Sequence, residues 1–274
     1  MQKPELISLI KKYNLRVKKS LGQNFLIDDK ILAEIISASK LSKADAVLEI
    51  GPGLGTLTEG LCQKAKKIYA IEKDDKLFGF LQENLKCSNL KLIKGDILKY
   101  DISKLKLKSY KLIANLPYNI TAPVLRKFLT AKSKPSIMIL MLQKEVAEKI
   151  TNKKKMSILS LSVLFYGEPE ILKIVSKDSF WPKPKVDSAI IAIKTRDKPI
   201  YDLNEDLFFK IVKAGFSEKR KKVKNSLVRN LSIKKEIIEE MFRKARIDPN
   251  KRAEDLSLSD WGKLYQYVQF TKQT

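Results

Sequence analysis

A short polar and aromatic segment, Asn115-Leu116-Pro117-Tyr118, directly follows the apolar run Tyr110–Ala114. Proline has no backbone N–H to donate to a sheet, so Pro117 marks a strand end or a stiff loop. The side-chain carbonyl of Asn115 and the main-chain carbonyl of Leu116 can accept hydrogen bonds from the exocyclic amine of adenine, which frees its lone pair. The Tyr118 ring can stack on an extruded base, a contact worth about 1–3 kcal/mol in other base–aromatic stacks. We therefore predict Asn115, Leu116 and Tyr118 as catalytic residues that handle an adenine amine.

A second group of candidate residues surrounds the segment Glu49–Gly55, in which a predicted strand runs into glycines and then a helix. Gly51 and Gly53 allow the backbone to turn tightly and approach a ligand, and the following helix offers free N–H groups. Glu72 ends the next predicted strand, where a carboxylate can accept both ribose hydroxyls of an adenosine ligand. Asp96 ends the third strand, where it can accept from the adenine amino group. The spacing differs from the G-x-G-x-x-G of dinucleotide enzymes, so we favour S-adenosylmethionine over NAD as the cofactor.

The composition excludes several classes of catalysis. The chain of 274 residues contains no histidine and only two cysteines, Cys62 and Cys87, which lie in different predicted segments. Ser–His and Cys–His nucleophilic catalysis is therefore excluded, and we expect neither a disulfide framework nor a bound metal. Methyl transfer from a sulfonium held in line with its acceptor needs no strong base, which agrees with this composition.

The charge balance indicates a polyanionic partner. Lys and Arg number 55 against 31 Asp and Glu, which gives a formal net charge of +24. We expect salt-dependent binding of nucleic acid rather than of a membrane surface, because no basic amphipathic helix with a broad apolar face is evident. A lysine-rich composition that merely reflects genomic base bias is the alternative. No apolar run is long enough to cross a bilayer and the N-terminus lacks a secretory signal pattern, so we expect a cytoplasmic protein.

The elements that must position these residues alternate between strand-like and helix-like patterns. The predicted strands are Ala46–Ile50, Lys67–Glu72, Leu90–Lys94, Tyr110–Asn115, Ser136–Leu142 and Ser188–Lys194. The predicted helices between them are Ile31–Ser39, Thr56–Ala65, Asp75–Leu85 and Ala122–Leu129. This order is typical of an α/β fold with a mainly parallel sheet covered on both faces.

The chain changes character beyond residue 198, where helical spacing recurs without strand-like alternation. The predicted helices there are Leu207–Ala214, Ile233–Ala245 and Leu256–Phe270. Ser257 and Asp260 have the spacing of a capping box at a helix start. We therefore predict a catalytic domain over residues 1–198 and a small all-α domain over residues 199–274.

Longer motifs are spread over almost the whole chain: Leu21–Leu26, Glu49–Gly55, Asn115–Tyr118, Met141–Ala147, Phe180–Ser188, Phe216–Lys221 and Lys251–Ser257. Together they resemble the ribosomal RNA adenine dimethyltransferase family, in particular its small-subunit branch. The resemblance implies a Rossmann-like, seven-stranded S-adenosylmethionine-dependent methyltransferase sheet followed by a helical domain that contacts rRNA. It also implies a reaction in which two adjacent adenines near the 3′ end of small-subunit (16S) rRNA become N6,N6-dimethyladenine.

The resemblance further implies roles for individual residues. The residues expected to contact S-adenosylmethionine are Asn24, Leu26, Gly51, Glu72, Asp96 and Asn115. Asn115 is also expected to face the target amine, with Tyr118 on the base. The expected partner is small-subunit rRNA within an immature 30S-type particle, and we expect a monomer.

Two further features have a functional and a structural interpretation. Phe180 is predicted to form the second wall of the base pocket, with a hydrophobic anchor before the last strand as the alternative, whereas Trp181 is interpreted as packing. Two basic clusters are candidates for rRNA contacts, with a solvated helix face as the alternative. They comprise Lys11, Lys12, Arg16, Lys18 and Lys19 in one case, and Lys219–Lys222 with Lys224 in the other.

Three competing functions stay open at this point. A large-subunit rRNA methyltransferase of the macrolide-resistance type shares the catalytic domain, but the segments Phe216–Lys221 and Arg252–Ser257 favour the small-subunit branch. A DNA adenine methyltransferase usually carries a separate target-recognition domain, and none is obvious here. A mainly non-catalytic assembly factor is disfavoured because Glu72, Asp96 and Asn115 are all present.

Overall fold

The computed structural model describes residues 3–15, 17–18 and 21–270. Arg16 and Lys19 of the first basic cluster lie outside the described residues. The chain divides into two compact units, the first formed by Met1–Glu148 with Gly167–Asp197 and the second by Lys149–Tyr166 with Lys198–Thr274. The second unit thus begins its main segment at the predicted junction, but it also includes residues 149–166, which the sequence pattern did not assign to it.

The first unit is built on a mixed sheet whose strand order is β4-β3-β2-β5-β6-β9-β7, seven strands in all. The strands in chain order are β1 Phe25–Leu26, β2 Ala46–Ile50, β3 Lys67–Glu72, β4 Leu90–Lys94, β5 Lys111–Asn115, β6 Ile137–Gln143, β7 Gly167–Val175, β8 Phe180–Trp181 and β9 Ser188–Thr195. Strands β2 to β6 pair in parallel, whereas β9 pairs antiparallel with both β6 and β7. The carboxyl ends of β2, β3, β4 and β5 therefore meet at one edge of the sheet.

The central strands are buried because helices cover both faces of the sheet. Every residue of Leu112–Ala114 and of Met138–Leu142 is almost fully buried, which explains why these strands appear as continuous apolar runs rather than as an alternating pattern. The helices of the first unit are α1 Lys3–Lys12, α2 Asp29–Ala38, α3 Thr56–Lys64, α4 Asp75–Asn84, α5 Thr121–Leu129 and α6 Lys144–Thr151, the last of which continues into the second unit.

A short antiparallel ribbon joins β1 to β8. Phe25 pairs with Trp181 and Leu26 pairs with Phe180. The ribbon is reinforced by Ser179, whose hydroxyl donates to Asp28 Oδ2 at 3.0 Å. The same Asp28 side chain accepts from the first N–H groups of α2, so the ribbon and the helix start are held as one piece.

The second unit consists of helices. They are α7 Ile158–Tyr166, α8 Glu205–Phe216, α9 Val223–Leu231, α10 Lys235–Ala245 and α11 Leu258–Phe270. Residues 149–166 belong to this unit because aromatic residues of α7 pack against α8: Phe165 stacks on Phe208 with ring centroids 5.0 Å apart. The predicted capping box is confirmed, since Ser257 N donates to Asp260 Oδ2 at 3.0 Å and Asp260 N donates to Ser257 Oγ at 3.1 Å. Within the described residues, no helix combines the length and the apolar character needed to span a membrane.

Candidate active site

A cleft opens at the edge of the sheet where the carboxyl ends of the parallel strands meet. It contains about 1260 Å³ of unfilled space, including its mouth, which is open to solvent. This is the expected location of a ligand site in an open α/β sheet. All the predicted site residues except Phe180 line the cleft: Asn24, Leu26, Gly51, Gly53, Glu72, Asp96, Asn115, Leu116 and Tyr118.

The glycine loop after β2 forms one wall of the cleft. Gly51 and Gly53 have φ values of 65° and 62°, a left-handed conformation that residues with a side chain rarely adopt. A Cβ placed on Gly51 would meet no atom within 4 Å, so the backbone here borders open space that a ligand can fill. Helix α3 follows the loop, and its first residue is preceded by Gly55, which offers no side chain to cap the N–H groups. These N–H groups remain available to a polar or negatively charged ligand group.

Glu72 connects the end of β3 to the glycine loop. Its Oε1 accepts from Asp74 N at 2.8 Å and its Oε2 accepts from Gly53 N at 3.2 Å. The side chain is 5% exposed, and burial raises the pKa of its carboxyl group above the ordinary value despite these hydrogen bonds. Glu72 therefore fixes the loop and presents a carboxylate to the cleft.

Asp96 lies beyond the end of β4 and is held by two donors. Lys73 Nζ lies 3.0 Å from its Oδ2, and Leu98 N donates to its Oδ1 at 2.9 Å. Burial acts to raise the pKa of the carboxyl group, but the hydrogen bonds from Lys73 and Leu98 outweigh it, so the pKa lies below its usual value. Asp96 is thus ionised at neutral pH and can accept hydrogen bonds.

The segment around Asn24 closes the cleft opposite the strand ends. Asn24 Nδ2 donates to Gly22 O at 3.2 Å, and Asn115 Nδ2 donates to Asn24 O at 3.3 Å. The second bond orients the Asn115 amide, because its nitrogen is engaged with the main chain. No donor to Asn115 Oδ1 is present among the described residues, so this oxygen remains free to accept from a ligand.

The segment Asn115–Tyr118 continues directly from β5. Leu116 N donates to Met141 O at 3.0 Å, which extends the parallel ladder by one residue beyond the strand. The chain then turns at Pro117, with φ −56°, into a short 3-10 turn that begins at Tyr118. The main-chain carbonyl of Leu116 and the side chain of Asn115 are thereby anchored to the most rigid part of the sheet.

The hydroxyl group of Tyr118 is hydrogen-bonded to a side chain of strand β9. The phenolic oxygen lies 2.7 Å from Ser188 Oγ at the start of β9. Burial, and to a smaller extent the negative charge of Asp187, raises the pKa of the phenol although the bond to Ser188 lowers it. The ring is therefore neutral throughout the physiological pH range.

Phe180 is placed differently from the other predicted site residues. It is 3% exposed and belongs to the hydrophobic cluster that also contains Leu26, its partner in the ribbon. It does not line the cleft, because the pairing with β1 turns its ring into the core. Trp181 packs against a second hydrophobic cluster, as interpreted from the sequence. A wall of the base pocket formed by Phe180 stays a prediction.

Many residues that line the cleft were given no individual role by the sequence analysis, and Lys73, Ile97 and Glu49 are three of them. Lys73 and Ile97 directly follow Glu72 and Asp96, and both line the cleft. Their position after a strand end was the signal from which the sequence could have predicted that they line the cleft. Glu49, within the glycine motif, is 1% exposed and also lines the cleft, and its Oε2 has no hydrogen-bond partner among the described residues. Burial raises the pKa of Glu49 to about 8.

The two cysteines are closer together than their positions in the sequence suggested. Cys62 and Cys87 line the same surface depression and are half-buried rather than fully buried. Asn89 bridges this region, because its Nδ2 donates to Cys62 O at 2.9 Å and to Ala65 O at 3.0 Å. Burial, with the neighbouring Cys87, raises the pKa of the Cys62 thiol, which keeps it protonated. Among the residues that the structure describes, no group of three or more acidic, Cys or His side chains could hold a metal ion.

Comparison with known proteins identifies the family. The sequence profile described as "Ribosomal RNA adenine dimethylase" matches residues 14–269, which include the whole of the cleft lining from Leu21 onward. The chain belongs to this family. The assignment confirms the predicted family and the predicted enzyme class, an S-adenosylmethionine-dependent rRNA adenine dimethyltransferase.

Curated relatives of this rRNA adenine dimethylase are named ribosomal RNA small subunit methyltransferase A. The relative from Dehalococcoides mccartyi is 45% identical over 257 residues, which cover 92% of this chain and 88% of that protein. The relative from Clostridium botulinum strain Langeland is 43% identical over 263 residues, which cover 93% of this chain and 95% of that protein.

Two solved structures share the fold of this dimethylase. A dimethyladenosine transferase from Plasmodium falciparum gives a TM-score of 0.76 at 27% identity, covering 91% of this chain and 98% of that one. The 23S rRNA methyltransferase ErmE gives a TM-score of 0.72 at 26% identity, covering 89% and 99%. The predicted α/β, Rossmann-like fold with a C-terminal helical region is confirmed.

Proposed function

We propose that this rRNA adenine dimethylase transfers methyl groups from S-adenosylmethionine to N6 of two adjacent adenines near the 3′ end of small-subunit rRNA. The observation that carries the proposal is the orientation of the Asn115 amide, whose nitrogen is bound to Asn24 O and whose oxygen is left as an acceptor in the cleft that Glu72 and Asp96 also line. The names of the relatives, at 43% and 45% identity, support the small subunit as the source of the RNA. The expected products are N6,N6-dimethyladenines, formed while the small subunit matures.

The cofactor half of the cleft has groups that fit S-adenosylmethionine. The carboxylate of Glu72 is suited to the ribose hydroxyls and that of Asp96 to the adenine amino group, while Gly51 leaves the space that a ligand needs. Gly53 and the free N–H groups at the start of α3 extend this wall. Asn24, Leu26 and Asn115 also line the cleft. When bound, S-adenosylmethionine would supply a methyl group made electrophilic by its sulfonium and would leave as S-adenosylhomocysteine, while the proton lost by the amine passes to solvent.

The other half of the cleft activates the amine. Asn115 Oδ1 and the Leu116 carbonyl accept hydrogen bonds from the two N–H groups of the target, which reduces delocalisation of its lone pair into the ring. The Tyr118 ring stacks on the extruded base. Positioning contributes several kcal/mol to lowering the barrier, with upper estimates of about 7–11 kcal/mol for well-oriented reactants.

The second unit carries the best candidate for a phosphate-binding surface. Lys219, Arg220 and Lys221 are exposed in the turn between α8 and α9 and form no ion pair among the described residues. Lys222 is also exposed, although its Nζ donates to Asn250 Oδ1 at 2.7 Å. We infer that this run contacts rRNA, as expected for a chain with a net charge of +24. We therefore propose that residues 1–198 carry catalysis and that residues 199–274 carry the main rRNA contact.

The described lysines of the first basic cluster differ in whether they form an ion pair. Lys11 and Lys12 are exposed in the last turn of α1, whereas Lys18 Nζ lies 2.6 Å from Asp74 Oδ2 and is engaged in the first unit. Only Lys11 and Lys12, of its described members, are therefore proposed to contact RNA. An immature 30S-type particle as the substrate, a monomeric enzyme and a cytoplasmic location complete the proposal.

The test supplies isotopically labelled S-adenosylmethionine with three acceptors: undermethylated small subunits, undermethylated large-subunit rRNA and duplex DNA. The modified base is then identified by mass. Dimethyladenine only in small-subunit rRNA is the expected result. Label in large-subunit rRNA would move the protein to the branch of ErmE, and tight rRNA binding without label would make it an assembly factor.

A further inference from the structure

The ring of Tyr118 is anchored by a residue that has no assigned role. Ser188 Oγ lies 2.7 Å from the Tyr118 hydroxyl group, and either atom can be the donor. The serine is the first residue of β9, 70 positions further along the chain than the tyrosine. A contact between such distant residues depends on the sheet rather than on the local loop.

Ser188 is itself held firmly. It pairs with Gln143 of β6 on one side and with Val175 of β7 on the other, and its side chain is 0% exposed. The preceding residue, Asp187, accepts from Lys144 N through its main-chain oxygen and from Lys177 N through Oδ1, both at 3.0 Å. The serine hydroxyl is therefore a fixed point at the edge of the cleft.

A tyrosine side chain has few torsions, so anchoring its hydroxyl group fixes the position of the ring. The main chain at Tyr118 is already set by Pro117 and the 3-10 turn. Because the hydroxyl oxygen lies on the χ2 axis, a hydrogen bond at the far end of the side chain restricts χ1 directly. It acts on χ2 only through the preference of a phenolic hydroxyl group to bond in the plane of its ring. Stacking requires a ring in the right place with a face parallel to the base, so the placement of Tyr118 decides whether the extruded base lies in line with the methyl donor.

We propose that Ser188 is a positioning residue, which acts through Tyr118 to hold the stacking face on which the target adenine rests. This inference rests on the proposed function, in which Tyr118 contacts the base. Ser188 does not touch the base and supplies no proton. Because it acts through Tyr118, its removal should change the placement of the base and leave the binding of the cofactor unchanged.

The test combines Ser188→Ala, Tyr118→Phe and the double variant, because both single changes remove the same hydrogen bond. We expect each single variant to lower kcat on undermethylated small subunits about tenfold, and the double variant to lower it no further. We expect the dissociation constant for S-adenosylmethionine and the Tm to stay close to the wild-type values. Both quantities report whether the variants are folded. Ser160→Ala is the matched control, since Ser160 is equally buried, bonds to Ser157 and does not line the cleft.

A second measurement reads the stacking directly. An rRNA fragment with 2-aminopurine in place of a target adenine is bound to each variant, and the quenching of its fluorescence is recorded. We expect quenching in the wild type, a loss of more than half of it in Ser188→Ala, and unchanged quenching in Ser160→Ala.

The outcomes separate this inference from the proposed function. Wild-type kcat and quenching in Ser188→Ala, or a double variant whose loss equals the product of the single losses, would overturn the role of Ser188 alone, provided that Tyr118→Ala is strongly impaired. Wild-type activity in Tyr118→Ala would overturn both the role of Ser188 and the proposed stacking on Tyr118.

Discussion

The two ends of the cleft are built from different chemistry. The proposed cofactor end presents three buried or half-buried carboxyl groups, those of Glu49, Glu72 and Asp96, whereas the proposed base end presents the Asn115 amide and the hydroxyl pair of Tyr118 and Ser188. Glu72 and Asp96 accept from backbone N–H groups, whereas Asn115 donates to a main-chain carbonyl and Tyr118 bonds to the side chain of Ser188. Binding at the first end is thus sensitive to charge, while the second end works without a group that changes charge near neutral pH.

This difference separates binding from chemistry. A change at the cofactor end should weaken binding of S-adenosylmethionine and leave turnover at saturation nearly intact. A change at the base end should lower turnover and leave cofactor affinity nearly intact.

Replacing the amide at the base end should have the largest effect. Asn115→Ala removes the acceptor for the target amine, and we expect kcat to fall about 10²–10³-fold, by analogy with loss of a transition-state hydrogen bond. Cofactor affinity should change much less. Single-turnover methylation of undermethylated small subunits measures the effect, with Asn84→Ala, an exposed amide on α4 outside the cleft, as the control. Turnover at the wild-type rate in Asn115→Ala would refute the proposed role of the amide.

At the cofactor end, Glu72→Gln should act on binding. The substitution removes the negative charge and replaces one of the two oxygens that accept from Gly53 N and Asp74 N by a donor. We expect the dissociation constant for S-adenosylmethionine to rise about 10–50-fold, with kcat at saturation within about threefold of wild type. Calorimetric titration gives the affinity, and the exposed Glu59→Gln on α3 should behave as wild type. A fall in kcat without weaker binding would mean that the two ends are not separate.

The recognition of the adenine ring of the cofactor provides a finer test. Asp96→Asn exchanges a charged acceptor for a neutral one and removes the ion pair with Lys73, so we expect binding of S-adenosylmethionine to weaken about fivefold. The wild-type protein should also bind the inosine analogue, which lacks the amino group, more weakly than the natural cofactor, and Asp96→Asn should lose this preference. Equal discrimination in both proteins would assign adenine recognition to another residue.

A pH titration should reveal the smallest effect. Burial raises the pKa of Glu49 to about 8, with the charge of Glu72 raising it and Thr58 lowering it. The folded protein therefore holds this proton more tightly than the unfolded chain, so Glu49 costs stability progressively as the pH rises from about 4.5 to about 8. Over this pH range we expect the Tm of the wild type to fall relative to that of Glu49→Gln. The fall should be about 2–4 °C for each kcal/mol of unfolding free energy lost. A difference in Tm that is the same at pH 5.5 and pH 8.5 would contradict a raised pKa.

The sequence predicted the candidate site best where its residues lie at the ends of strands. Glu72 ends one predicted strand and Asp96 closely follows the next, so the edge they share followed from the parallel order of the strands. The strand β7 was not found, because it lies at the edge of the sheet, where Glu168, Glu170 and Lys173 break the apolar pattern. The count of seven strands came from the family resemblance.

What the sequence could not provide were contacts that depend on distant residues. The pairing of Phe180 with Leu26 and its burial in the core are such contacts, because register between segments so far apart leaves no local signal. The bond between Tyr118 and Ser188 is of the same kind. The role of Phe180 at the base pocket stays a prediction. Residues 149–166 joined the second unit through aromatic packing, which periodicity within one helix does not reveal.

The ribbon of β1 and β8 has a consequence for synthesis of the protein. Its anchoring bond joins Asp28 and Ser179, which are 151 residues apart in the chain. During translation the segment that carries Asn24 and Leu26 leaves the ribosome long before its partner strand exists, although N-terminal parts of a chain begin to fold first. This wall of the cleft can be completed only after residue 181 has emerged, so shortened chains that end before β8 should lack both the wall and β9, the strand through which β7 joins the sheet.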